Sequence, residues 1–517
     1  MSATKTMILS MALAACLLMA DAASAASCDS LRALALPHTT ITTATAIPAG
    51  PFQAPGSAAP APQSVVLPAH CRVAAVLTPS SDSHIQMEVW MPAENWNGKF
   101  QAVGNGGWAG VLTYGGGAPQ AIPRNMAFAL AEGYATASTD TGHVNDGTQG
   151  QFVVGHPEKL TDFAYRAVHE MTVASKAIIA AFYGNGPRLS YWNGCSTGGR
   201  QGLMEAQRYP EDFDGIVAGA PANDWTHLMS GIVWSAQATH KDQPGNLPME
   251  KLTALHDEVV RACDGLDGVR DGVLEDPTRC TFDVKRLACS ASSGASCLSP
   301  AQVEGAAKMY AGPANPRTKE HVFPGVAAGS ERGWDPVNGL QPFGIAESYF
   351  KHVVFTDAGW NYRTLDFDAQ VAASDTAAAA LMNATDPNLQ PFFARGGKLI
   401  QYHGWNDQQI SPFNSVNYYK SVEARLGGHD KVAASYRLFM APGMMHCGGG
   451  DGPNQFDPMS ALERWREGNV APDRILATHV SSGVVDATRP LCPYPQVAVY
   501  KGSGSTRDAA NFACKAR

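Results

Sequence analysis

The chain has no excess of positive charge: 38 Lys and Arg against 46 Asp and Glu leave a formal net charge of −8 at pH 7. That excludes the basic footprint expected of a nucleic-acid or anionic-membrane binder. No two cysteines show the short CxxC spacing of structural zinc sites, so zinc has little support. Membrane-length apolar sequence is missing after the first twenty residues. No internal repeat is present, and low complexity is confined to an Ala- and Pro-rich stretch near the start. At 45% hydrophobic residues, nothing points to long-range disorder.

What is present begins with Lys5, the apolar run Met7 to Ala20, and Ala23-Ser24-Ala25. This reads as a secretory signal peptide over residues 1–25. Leu13-Ala14-Ala15-Cys16 is a competing lipoprotein box, but the apolar Leu17-Leu18 behind the cysteine favours simple export. Cys16 falls in the leader and leaves ten cysteines, an even number suited to an oxidising compartment. Cys263/Cys280, Cys289/Cys297 and Cys492/Cys514 are close neighbours. Sequence alone does not fix connectivity; local pairing leaves Cys28 with Cys71 and Cys195 with Cys447.

Strand and helix patterns alternate after an extended arm at 26–80. Strands are expected at His84–Met91, Lys99–Val103, Tyr134–Thr139, Leu189–Asn193 and Phe213–Ala220, with a long helix over Asp162–Tyr183. From about 223 to 385 the alternation fails, and it resumes at Gly397–His403 and Ala434–Met440. An α/β fold with a parallel sheet core follows. The catalytic domain is expected at 26–222 and 386–517, with 223–385 inserted between core strands as a lid.

The candidate chemistry centres on Gly194-Cys195-Ser196-Thr197-Gly198-Gly199, which contains the G-x-S-x-G pattern. The expected strand before it and the helical Arg200–Tyr209 after it supply the strand–turn–helix context of a nucleophile elbow. Met445-His446-Cys447 lies far downstream, with a cysteine beside a histidine just as Cys195 is beside Ser196. If those cysteines are bonded, their Cα atoms lie within roughly 7 Å, and Ser196 and His446 become neighbours. A serine hydroxyl needs a base and an acid to orient it. His446 is the base candidate. Asp407, after the strand ending at His403, is the acid, giving the chain order Ser, Asp, His. His403 is a rival base, and Asp224, Asp140 and Asp451 are rival acids. The backbone N–H groups of Thr197 and Gly107 are the expected oxyanion donors.

A second charged constellation runs from Cys263 to Cys280, with Asp264, Asp267 and Asp271 separated by glycines. Three carboxylates so spaced can wrap a hard cation through oxygen ligands. The spacing is not that of an EF-hand, so a metal loop and a disulfide-closed polar loop both stand.

Taken together, Gly194 to Gly202, the Cys195/Ser196 and His446/Cys447 arrangement, His403 to Asp407 and the Cys263–Cys280 loop resemble the tannase/feruloyl esterase family. That family also includes mono(2-hydroxyethyl) terephthalate hydrolase. The resemblance covers nearly the whole mature chain. It implies an α/β-hydrolase core and a large inserted lid domain holding calcium. The implied ligands are the side chains of Asp264, Asp267 and Asp271 and the carbonyls of Val269 and Val273. It also implies the pairings Cys28–Cys71, Cys195–Cys447, Cys263–Cys280, Cys289–Cys297 and Cys492–Cys514.

The expected activity is hydrolysis of aromatic carboxylic esters by a secreted or periplasmic serine esterase. Feruloyl or other hydroxycinnamoyl esters lead, because Thr197 after the serine resembles the feruloyl esterase pattern rather than the acid of the terephthalate enzyme. Galloyl esters and terephthalate monoesters are the alternatives within the class. A non-catalytic binding protein on a hydrolase fold is the alternative outside it. Aromatic residues from Phe343 to Trp360 are candidates for either the acyl pocket or the lid core.

Overall fold

The computed structural model describes residues 27–57, 65–115, 125–240, 245–290, 296–335 and 341–516. The expected leader at 1–25, with Cys16, lies outside the described residues.

Nine strands form the central sheet: β1 (Thr39–Ile47), β2 (His70–Leu77), β3 (Ile85–Pro92), β4 (Lys99–Val103), β5 (Ala135–Thr139), β6 (Leu189–Cys195), β7 (Gly215–Gly219), β8 (Lys398–Gly404) and β9 (Tyr436–Ala441). Their spatial order is β1-β2-β3-β5-β4-β6-β7-β8-β9. From β5 to β9 every neighbouring pair is parallel, whereas β1–β2, β2–β3 and β3–β5 are antiparallel. The sheet is therefore mixed, not purely parallel as the alternation alone suggested. The expected extended arm at 26–80 instead holds two sheet strands, β1 and β2, which pair with each other; Cys28–Cys71 fastens the chain before β1 to β2. Alternate residues of β2 are buried, and the parallel strands are buried on nearly every residue, as two covered faces require.

Helix α1 (Ala167–Tyr183), entered through the wide turn Asp162–Arg166, packs on the sheet, as does α2 (Thr197–Arg208) directly behind β6. Between β7 and β8, which are adjacent in the sheet, the chain leaves for the inserted segment. That segment is mainly helical, with α3 (Trp225–His240), α4 (Met249–Cys263) and α5 (Pro300–Ala311) as its longest described helices. One apolar cluster runs through α4, α5, Leu298 and Trp334. Another joins α3 to Tyr349, Phe350 and Trp360, and also takes in Trp108 and Phe163 from beside the sheet. The insertion thus has apolar packing of its own and a seam shared with the central unit. After β9, helix α6 having crossed earlier at Pro412–Leu426, the chain adds α7 (Pro458–Gly468) and ends in two separate hairpins. These pair Ile475–Ser481 with Val484–Leu491 and Gln496–Tyr500 with Phe512–Ala516, and Cys492–Cys514 ties one to the other.

His143 lies in the loop after β5, 5% exposed and stacked on Phe152 with ring centroids 3.4 Å apart. Burial holds its ring neutral and lowers its pKa to about 4 from an ordinary value of 6.5. On unfolding, the ring takes up a proton at the higher value. Its stabilising contribution is therefore complete above about pH 6.5 and is lost as pH falls toward 4, by on the order of 3 kcal/mol. His143→Phe should flatten the Tm-against-pH curve in that window relative to wild type. Parallel curves between pH 7 and 4 would refute the assignment.

Candidate active site

The turn between β6 and α2 places Ser196 at φ 63°, ψ −123°, a conformation that non-glycine residues hold only under constraint. The constraint is close backbone packing. A Cβ on Gly194 would stand 2.6 Å from the Gly198 carbonyl, and one on Gly199 would stand 2.3 Å from the Gly219 oxygen. No side chain fits at either place, so the strand and helix approach closely enough to expose the serine hydroxyl.

The other two side chains arrive from the carboxyl ends of neighbouring strands. Asp407 follows β8 and His446 follows β9. His446 Nε2 is 2.9 Å from Ser196 Oγ, and His446 Nδ1 is 2.7 Å from Asp407 Oδ2. Asp407 is fully buried and accepts the backbone N–H groups of Gln409 and Ile410 on Oδ1, each at 2.9 Å. Burial opposes its ionisation, but the charge of His446 and hydrogen bonds from His403 and His446 outweigh that. They hold the carboxyl well below the usual carboxylate range. Asp407 is thus an anion fixed to orient a histidine.

Cys195 and Cys447 are bonded, with Cα atoms 6.0 Å apart across 252 positions, so each residue flanking the serine–histidine contact is covalently joined to the other. Cys447, like Ser196, has positive φ (56°). The remaining disulfides join Cys28–Cys71, Cys263–Cys280, Cys289–Cys297 and Cys492–Cys514.

Gly107 and Thr197 are linked by a hydrogen bond from Thr197 Oγ1 to the Gly107 carbonyl at 2.6 Å. Both line the pocket beside Ser196. Thr197 opens α2, where a backbone N–H has no partner within the helix and is free to face a ligand. A cleft of about 520 Å³ bounded by Gly104–Gly107, Asp146–Thr148, Phe343, Ile345 and Gln409 reaches Ser196 and His446. Beneath it lies a narrow apolar slot walled by Trp225, Leu228, Met229, Ile232, Phe343 and Ile345. Phe343 therefore reaches the cleft, while Tyr349, Phe350 and Trp360 belong to the packing of the insertion.

The rival residues go elsewhere. Asp140 accepts the N–H groups of Gln86 and Gly142, Asp224 pairs with His227, and Asp451 pairs with Arg332. His403 touches Asp407 rather than Ser196. Sequence reading gave no role to the polar residues of α2. Arg200 is fully buried and bonds the carbonyls of Phe163, Ala164 and Met382, while Gln201 bonds Asn105 behind the Gly104–Gly107 loop. The available signal was a helix with Arg, Gln and Glu on its face yet hemmed in by glycines at the elbow.

The acidic loop is closed by Cys263–Cys280. Asp264 accepts from the N–H groups of Asp271 (3.4 Å) and Gly272 (3.2 Å), and Asp267 from that of Val269 (2.8 Å). Asp271 accepts from Val273 (3.3 Å) and pairs with Arg489, which also reaches Glu275 at 3.2 Å. Val269 and Val273 are buried, and Val269 packs on Cys492, Ala498 and Phe512 of the terminal hairpins. Every side chain in the expected ligand set offers carboxylate oxygen and none offers nitrogen or sulfur, a set suited to a hard cation.

A nine-stranded mixed sheet carrying a serine on a strained elbow, with histidine and aspartate on the following strand ends, defines an α/β-hydrolase. The profile of the family described as "Tannase and feruloyl esterase" matches residues 71–515. The chain is 38% identical to an uncharacterized esterase of Xanthomonas campestris, over 96% of this chain and 92% of the relative. It is 37% identical to a probable feruloyl esterase B-2 of Aspergillus terreus, over 86% of each chain. The crystal structure of feruloyl esterase B from Aspergillus oryzae superimposes with a TM-score of 0.86 at 32% identity, covering 94% of this chain and 99% of that one. The chain belongs to the tannase and feruloyl esterase family and is a carboxylic ester hydrolase.

Displacements near 1 Å at a reacting centre can cost about 100-fold in rate. Replacing Cys195 and Cys447 together with alanine should therefore lower kcat sharply in protein that is still folded. Replacing Cys492 and Cys514 should instead lower Tm, by the loss of about 2–4 kcal/mol, with little change in kcat. Assays well below both melting temperatures separate the two effects. Wild-type kcat in the folded Cys195/Cys447 variant would reduce that bond to a staple.

Proposed function

We propose that the protein is an exported serine esterase that hydrolyses esters of aromatic carboxylic acids, with feruloyl and other hydroxycinnamoyl esters as its preferred substrates. The carrying observation is the continuous hydrogen-bonded line from Ser196 through His446 to Asp407 at the floor of an open cleft. In this reading His446 Nε2 removes the Ser196 proton as Oγ attacks the ester carbonyl. Asp407 stabilises the imidazolium without taking its proton. The N–H groups of Gly107 and Thr197 receive the developing oxyanion. His446 then protonates the departing alcohol, and water hydrolyses the acyl-enzyme by the same route in reverse. Export is supported by the five disulfides, which need an oxidising compartment. Among the described residues, no helix is long and apolar enough to cross a membrane.

The lining of the cleft and slot supports the acyl preference. Among the described residues lining them there is no Lys or Arg, and the carboxylate of the cleft is Asp146. The free carboxylate of a terephthalate monoester would meet no cation among these described residues. The three hydroxyls of a galloyl ring would meet mostly Trp225, Leu228, Met229, Ile232 and Ile345. A cinnamoyl group presents a flat, largely apolar surface and suits such walls.

Wild type should turn over 4-nitrophenyl acetate, and Ser196→Ala should lower kcat at least about 1000-fold. Equal rates would leave a non-catalytic hydrolase fold. Among methyl ferulate, methyl gallate and the hydroxyethyl terephthalate monoester, kcat/KM should be highest for the ferulate. Preference for gallate would make this a tannase, and preference for the monoester would overturn the charge argument.

The loop Asp264–Val273 is proposed to hold calcium through the side chains of Asp264, Asp267 and Asp271 and the carbonyls of Val269 and Val273. Bound there, calcium would supply positive charge to an acidic turn and brace the insertion, as a lid over the cleft, against the terminal hairpins. It would take no part in the acyl transfer. Chelation should strip calcium and lower Tm, and readdition should restore it in proportion to occupancy. Unchanged metal content and Tm after chelation would refute the site.

A further inference from the structure

Behind Asp407 lies a line of buried polar side chains that the proposed acyl transfer does not itself use. Tyr436 of β9 donates to Gln401 Oε1, and Gln401 Nε2 donates to Ser415 Oγ at 2.6 Å. Ser415, on α6, meets His403 Nδ1 at 2.7 Å. His403 Nε2 is then 3.0 Å from Asp407 Oδ2 and 3.0 Å from the Ile410 carbonyl. Tyr436, Gln401, Ser415 and His403 are all fully buried.

The donors and acceptors fix which nitrogen carries the proton. His403 Nε2 faces two acceptors, so it must be the N–H. Ser415 Oγ accepts from Gln401, and among the described residues its own hydrogen has no acceptor other than His403 Nδ1. This tautomer aims the Nε2 hydrogen at Asp407 and the Ile410 carbonyl. An apolar core residue at 403 would fill the space without needing three further buried polar partners. The arrangement delivers one donor to Oδ2, the same oxygen that His446 uses, while backbone N–H groups serve Oδ1.

We infer that His403 is a positioning residue of the hydrolytic site: held in one tautomer by Ser415, Gln401 and Tyr436, it fixes the Asp407 carboxylate and so tunes the basicity and orientation of His446. This rests on the esterase reading for its link to catalysis, but the geometry has a consequence of its own. A second N–H on Oδ2 withdraws charge that His446 would otherwise feel. Removing it frees the carboxylate to turn and strengthens its hold on protonated His446. The titratable groups facing Asp407 are His446 from the loop after β9 and His403 from β8; Ser415 comes from α6 and Tyr436 from β9, and Ser196 faces the far side of His446.

The test compares wild type with His403→Ala and the milder Ser415→Ala, each checked for native fold by near-ultraviolet circular dichroism. His403→Ala should lower kcat about 10- to 100-fold with KM changed less than about twofold. It should also move the acid limb of the kcat/KM profile to higher pH. Ser415→Ala should do the same to a smaller extent, and it decides the matter if His403→Ala does not fold. In parallel, the His446 titration is followed by nitrogen-15 NMR without substrate and should move upward in the same order. Wild type that hydrolyses no ester would overturn the esterase reading while leaving this titration to judge His403. A folded variant with wild-type kcat and an unmoved His446 titration, or lower kcat with that titration unmoved, would reduce His403 to a packing residue.

Discussion

Ser196 is held at a positive φ that a residue with a side chain avoids, and such strain persists only where the surroundings leave no alternative. Much of the molecule supplies that confinement. Gly194 and Gly199 let β6, β7 and α2 close around the turn, and the Gly104–Gly107 loop packs against it from β4. Arg200, in the first turn of the same helix, bonds carbonyls on both the central unit and the end of the insertion. The bond from Cys195 to Cys447 closes the arrangement covalently. A hydroxyl that must meet a histidine from a distant strand is positioned by backbone contact first and by side chains second.

Asp407 shows the complementary principle in electrostatics. A fully buried carboxylate is costly unless its lone pairs are met, and here two backbone N–H groups and two imidazoles meet them. Satisfaction on all sides keeps it ionised where burial alone would protonate it. His446, partly exposed at the cleft, spans from this fixed carboxylate to the serine.

The insertion touches the loops that carry Gly107, Asp407 and His446. Trp108 beside Gly107 donates to the Ile345 carbonyl at 3.2 Å. Asn406 beside Asp407 donates to the Gly329 carbonyl at 2.6 Å, and Arg332 pairs with Asp451 in the loop beyond His446 at 3.3 Å. The same segment contributes Phe343 and Ile345 to the cleft. Its far side is held by the terminal hairpins through Arg489 and the acidic loop. One polypeptide excursion thus walls the substrate site and braces the loops that form it.

The sequence by itself determined the elements governed by local rules. Apolar alternation placed β3, β4 and β5 within a residue or two, and the glycines around Ser196 marked the elbow because a tight turn needs them nearby in the chain. The chain order of Ser196, Asp407 and His446 was legible because each follows a strand end. Tertiary structure decided what depends on contacts across the chain. Strands β1 and β2 looked like part of an extended arm because their pairing with each other, and of β2 with β3, leaves no local signal. Arg200, Gln201, Gln401 and Ser415 read as ordinary polar residues, since a hydrogen bond between side chains far apart leaves no periodic trace. The mixed direction of the sheet, the walls of the apolar slot and the partners of His403 belong to that second group, because each is fixed by which distant backbone or side chain happens to stand opposite.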